Sequence, residues 1–151
     1  MALVTSPPEE FRRFVRAAER FCTLVEEPVG VRERAEFVWA VRAELAELLA
    51  AALRIPEVVP WEQDVADSIA TADWDKVFGA VQVRIGEVGS ESAASALVAD
   101  GLADIWRDFR NGLNAMATGA RWEDVGWEWR FGLQTHWGRH AVEALAALHD
   151  A

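Results

Sequence analysis

The chain has one cysteine, Cys22, one lysine, Lys76, and no apolar run near the roughly 20 residues that a membrane-spanning helix needs. A single cysteine excludes an internal disulfide and a cysteine-rich zinc site. The opening stretch, MALVTSPPEE, lacks the positively charged and apolar regions of a signal peptide, so a cytoplasmic location is expected. No phosphate-binding glycine loop, dinucleotide fingerprint or nucleophile motif occurs, so no organic cofactor is expected. There is also no internal repeat and no low-complexity linker.

What is present describes one folded unit. A length of 151 residues suits a single domain spanning 1–151, and 52% hydrophobic residues are enough to bury a core. The net charge of −10 repels phosphate backbones and anionic lipid, so neither nucleic acid nor a membrane is an expected partner. Arg12, Arg13, Arg16 and Arg20 are interleaved with Glu9, Glu10 and Glu19, the pattern of a salt-bridged surface face.

The punctuation divides the chain into helices. Ser6, Pro7 and Glu9 in SPPEE suit a capped helix start, and Phe11, Phe14, Val15, Ala18, Phe21 and Val25 follow at helical spacing. Pro28 and Gly30 stop this helix near Glu27. A second helix is expected over about Val31 to Arg54, ended by Pro56 and Pro60. Residues 55–72 read as a loop with a short helical turn around Gln63 to Ile69. Asp73 can cap a third helix that continues through VQVRI. VGSESAAS is a further break and cap. A fourth helix runs from about Ser92 to Ala117, and Gly119 ends it. A fifth starts near Arg121 and runs almost to the C-terminus. Long amphipathic helices joined by short breaks predict an all-α, single-domain antiparallel bundle of about five helices.

The densest stretch is WEWRFGLQTHWGRH, residues 127–140. On one uninterrupted helix, Trp122, Trp129, Leu133, His136, Trp137 and His140 share a broad face. The two histidines lie one turn apart, which suits two ligands of one metal ion, a catalytic pair, or core histidines bonded to carboxylates. Glu143 lies at the edge of that face, but neither Glu-x-x-His nor HExxH is present. Asp100, Asp104 and Asp108, extended by Asn111, form a row beside the apolar stripe of the fourth helix. Such a row is either solvated or held by a cation, for which Arg107, Arg130, Arg139 and a metal ion are the candidates. Trp127, Phe131 and Leu145 fall on the opposite side from His140, the mark of a central helix or of one covered by a partner. Gly132 and Gly138 imply close approach by a large ring or another backbone.

FRRFVRAAERFCTLVEE, LADIWRDFRNGL and the WEWRFGLQTHWGRHAVEALAALH segment together resemble a bacterial family widespread in actinobacteria, the domain of unknown function numbered 5063. The resemblance covers nearly the whole chain and is most specific at the C-terminal segment. It implies a compact helical domain and no assigned activity. It also implies that Asp104, Asp108, Trp129, Arg130, His136, Trp137 and His140 fall on hallmark positions. Tyrosine often stands in the family where this chain has Trp106.

Two functions are consistent with these features. The first is a non-enzymatic interaction module that binds a protein partner, or itself, through an aromatic-rich surface at Trp127, Phe131 and Leu145. The second is a divalent-metal-binding or metal-dependent hydrolytic protein using His136 and His140 with carboxylates such as Asp104 and Asp108, and Arg130 nearby. The first is the expected one, because two histidines in line without an assured third ligand are an incomplete metal set.

Overall fold

The computed structural model describes residues 6–61, 64–86, 88 and 92–149. It contains α1 (Glu9–Glu26), α2 (Arg34–Ala52), α3 (Thr71–Ile85), α4 (Ser92–Ala117), α5 (Trp122–Thr135) and α6 (Trp137–Leu148). No strand occurs among the described residues, and VQVRI closes α3 as helix. The result is an all-α single domain with six packed helices among the described residues, where about five were expected.

Helix α4 is central and packs against α1, α3, α5 and α6. Val98, Leu102, Ile105, Trp106 and Phe109 recur along it at helical spacing and are buried. Around Phe109 the core is aromatic. Phe14 of α1 meets Phe109 at 5.5 Å, Trp129 of α5 at 5.2 Å and Trp137 of α6 at 5.9 Å between ring centroids. The first two contacts are edge-on, the arrangement that ring quadrupoles favour.

The helix ends depart from the expected caps. Pro8, not Ser6, is the N-cap of α1, with no side-chain bond, and Glu9 and Glu10 in the first turn oppose the helix dipole instead. At the other end, the buried guanidinium of Arg84 donates to the carbonyls of Leu24, Val25 and Glu27 and lies 3.7 Å above the Phe37 ring. A cation on the last carbonyls of α1 thus ties α3 to α1 and α2. Helix α2 starts at Arg34, three residues beyond Val31, and α3 starts at Thr71 after Ala70 instead of at Asp73.

Residues 64–70 contain no helical turn, while Gln63 lies outside the described residues. That segment is tied to α4: the Ser68 N–H donates to Asn111 Oδ1 at 2.9 Å. The break and cap read from VGSESAAS fall largely outside the described residues. Gly119, at φ 103°, ends α4 in the left-handed region that glycine favours.

The largest difference lies at the C-terminus. The expected fifth helix is two helices, broken at His136, whose φ of −145° and ψ of −87° are not helical. The break lets the Trp137 ring fold back over Gly132, where an added Cβ would lie 2.7 Å from Trp137 Cδ1. The buried Trp137 indole then donates to the Trp129 carbonyl at 2.7 Å. One wheel cannot describe both halves, so Leu145 leaves the face shared by Trp127 and Phe131. It is half-buried on α6 against the core.

Candidate functional site

The break positions the site. One face of α4 carries Gly101, Asp104, Asp108 and Gly112, spaced three, four and four residues apart. The two glycines let aromatic rings approach. A Cβ at Gly112 would sit 2.5 Å from the Trp129 ring, and one at Gly101 would sit 3.4 Å from His140 Nδ1. The carboxylates between them meet His136, at the α5–α6 junction, and His140, one turn into α6.

His136 Nδ1 lies 2.6 Å from Asp108 Oδ2. Its Nε2 lies 3.6 Å from Asp104 Oδ2, and His140 Nε2 lies 3.4 Å from that same oxygen. The imidazoles stand at 88° with centroids 5.0 Å apart. One ligating atom from each of Asp104, His136 and His140 falls within 4.8 Å of the others. The other carboxylate oxygen of Asp104 is engaged: the Trp74 indole and Arg107 Nη2 both donate to Oδ1 at 2.9 Å. Asp108 is held as well, since its backbone carbonyl accepts from Trp129 Nε1 at 3.2 Å.

These bonds sort the atoms into those already satisfied and those left facing one another. With the His136 proton on Nδ1, that N–H donates a hydrogen bond to the Asp108 carboxylate, and the lone pair of the neutral ring lies on Nε2. In that tautomer the Nε2 lone pair and Asp104 Oδ2 are two acceptors 3.6 Å apart, with His140 Nε2 3.4 Å from the same oxygen. The site is within reach of solvent: the His136 side chain is 40% exposed, that of His140 25% and that of Asp104 15%. Burial pushes the Asp108 carboxyl above the usual range, opposed by its bond to His136. Glu128 is also raised, first by burial and then by the charges of Asp108 and Asp64.

Cavities adjoin both histidines. One of about 270 Å³ is lined by His136, Asp108, Asn111, Glu128 and Thr135, with the Trp129 and Trp137 rings as its apolar wall. A second, of about 320 Å³, is lined by His140, Gly101, Asp100 and Glu143 with small apolar residues of α4 and α6.

Of the residues singled out in the sequence, Asp104, Asp108, His136 and His140 come together, and Arg107 is the arginine on the Asp row. Arg130 does not join them. Its guanidinium donates to the Ile55 carbonyl at 3.4 Å and reaches Glu57 at 3.5 Å. Trp127 and Phe131 stack face to face at 5.2 Å, with Phe131 54% exposed. Sequence reasoning missed Trp74, Glu128, Gly101 and Gly112. The glycines carried a readable signal, because they frame the two aspartates on one helical face; Trp74 and Glu128 reach the site only through packing.

Fold and site together define a helical bundle with a partly open histidine–aspartate cluster on its central helix. The chain belongs to DUF5063, a domain of unknown function, whose sequence profile matches residues 5–151. Among solved structures it is similar to protein BF1032 from Bacteroides fragilis, with a TM-score of 0.84, 19% identity and 95% of each chain covered. At that identity the likeness shows a shared fold. No curated protein matches the chain. No helix of the described residues is long and apolar enough to cross a membrane.

Proposed function

We propose that this protein binds one divalent transition-metal ion through Asp104 Oδ2, His136 Nε2 and His140 Nε2. The observation that carries this reading is the spacing of 3.4 and 3.6 Å between the carboxylate oxygen and the two ring nitrogens. Ligands about 2.0–2.2 Å from a tetrahedral ion stand about 3.4 Å apart, so the gap fits an ion. The third ligand that the sequence did not assure is Asp104. The surrounding bonds are those a metal site needs: Asp108 fixes the His136 tautomer, and Trp74 with Arg107 fixes the carboxylate. Imidazole and carboxylate ligands favour zinc, iron, cobalt or manganese over soft ions. Three protein ligands leave a position for water, and a bound ion would supply Lewis acidity there. Glu128, Asn111 and Thr135, in the cavity beside His136, can hold the polar part of a small ligand.

Protein purified without a histidine tag and stripped of metal tests this by calorimetric titration with Zn²⁺ and by the visible spectrum of the Co²⁺ form. One equivalent should bind, and Asp104→Ala or His140→Ala should abolish binding with helicity intact. Binding that survives both substitutions, or none at millimolar metal, overturns the reading.

A second reading rests on the stack of the half-buried Trp127 with the exposed Phe131, flanked by Val58, Val59 and Arg130 along a surface cavity of about 540 Å³. It supports a module that contacts a protein partner or itself. Phe131→Glu would then abolish association that Asp104→Ala leaves intact.

A further inference from the structure

Helix α2 is apolar on two sides. Phe37, Val38, Val41, Leu45 and Leu48 face the core. On the other side Trp39, Ala43, Ala46, Ala50 and Leu53 recur at spacings of four, three, four and three residues. Trp39 is 67% exposed and Leu53 75%; Ala43 and Ala46 are exposed and Ala50 is half-buried. This four-three alternation, which runs from Trp39 to the C-cap Leu53 and gives way to the exposed Glu36 at the slot before, is the spacing of a two-helix coiled-coil seam. The three alanines allow two backbones to approach closely, while the tryptophan and leucine at the ends supply area.

The charges beside the seam select the occupant. With Ala43 and Ala50 at the first core position of each heptad and Ala46 and Leu53 at the second, Arg42 precedes the seam and Glu47 follows it. Arg42 lies along the seam, its guanidinium 4.6 Å above the Trp39 ring. Neither Arg42 nor Glu47 forms an ion pair among the described residues, a state that Arg42 shares with Arg13, Arg54, Arg121 and Arg139, but of these only Arg42 lies beside the seam with an acidic residue five positions on. In two parallel helices, the residue before one core position faces the residue five further along on the partner helix. Arg42 of each copy would thus meet Glu47 of the other, twice across the two-fold axis. An antiparallel pair centred on Ala46 would bring the two copies of Glu47 together and leave Arg42 opposite Leu49.

We infer that α2 is a self-association surface: two copies of this chain pair through parallel α2 helices, with Arg42–Glu47 ion pairs closing both edges. Four turns of one helix offer less than the roughly 1,200 Å² of total area at which standard interfaces begin. The dimer is therefore weak, with dissociation in the micromolar range, and its formation is independent of metal at the histidine–aspartate site.

Sedimentation equilibrium of the whole chain, from low micromolar to several hundred micromolar, tests this. Wild type should pass from monomer to dimer. Arg42→Glu and Glu47→Arg should each weaken association about tenfold or more, because each places like charges across both edges. The double variant R42E/E47R should recover it, and an equimolar mixture of the two single variants should form the heterodimer in preference to either homodimer. Circular dichroism confirms that all variants remain folded. The inference is overturned if wild type stays monomeric throughout, if R42E has no effect, or if the double variant fails to recover. Association that Phe131→Glu removes and R42E leaves unchanged also overturns it, and places self-contact on the Trp127–Phe131 stack instead.

Discussion

Replacing Gly138 by alanine separates a broken C-terminal helix from a continuous one by the sign of the effect. In an uninterrupted, exposed helix this change stabilises by roughly 1 kcal/mol, because alanine is the better helix former. Here the added Cβ would run into the carbonyl oxygen of Leu133, with the Leu133 carbonyl carbon 2.7 Å and its Cα 3.0 Å away, all inside the 3.4 Å at which ordinary contact begins. The obstacle is backbone, so no side-chain rotation relieves it, and α6 has to move away from the end of α5. The cost is that of severe overpacking, about 3 kcal/mol. For a chain of this length that lowers Tm by roughly 6–12 °C. The movement also shifts His136, whose 2.6 Å bond to Asp108 has no slack, so metal affinity should fall together with stability. Thermal unfolding followed by circular dichroism measures the first effect and Co²⁺ titration the second. A G138A protein as stable as wild type, or more so, would refute the break at His136 and the site geometry that follows from it.

The remaining predictions concern single groups. Asp108→Asn should keep the fold and weaken Zn²⁺ binding about 10–100-fold, the usual effect of losing a carboxylate behind a ligating histidine; competition with a chromophoric chelator reads this, and unchanged affinity would remove Asp108 from the site. Glu128 has its folded-state pKa raised, so its contribution to stability is favourable below the ordinary carboxylate range and is lost as pH rises through the folded value. Glu128→Gln should therefore raise Tm at pH 7 and leave it nearly unchanged in acid; a fall at neutral pH would contradict this. The buried Cys22 thiol is pushed up to about 12 by burial, so a thiol-specific disulfide reagent at mildly alkaline pH should react only as fast as the protein unfolds. Rapid labelling without denaturant would show that α1 opens at this position.

Much of this fold could be read from local pattern. Phe11, Phe14, Ala18, Phe21 and Val25 are buried along α1, and Val98, Leu102, Ile105, Trp106 and Phe109 along α4, as their spacing requires. A stripe that must face a core at 3.6 residues per turn is written into successive residues and needs no knowledge of the neighbour. The pairing of the histidines with the aspartates was legible in part: Asp104 and Asp108 keep to one face of α4, and imidazoles set against a bundle seek polar partners, although His136 and His140 stay 40% and 25% exposed.

The break at His136 was not legible in that way. No proline interrupts residues 121–149, and the helical pattern runs through. What ends α5 is the demand of the Trp137 ring for the space over Gly132 and of its indole N–H for the Trp129 carbonyl, once Phe14 and Phe109 have closed the core around it. The same packing sent Arg130 to Ile55 and Glu57 and Leu145 to the core, against the single-helix reading. The sequence by itself determined which faces of the helices are apolar, because that depends on residue order alone. Only the tertiary structure decided where the last helix breaks, and so brought Asp104, His136 and His140 within reach of one ion, because large rings compete for shared volume across helices distant in sequence.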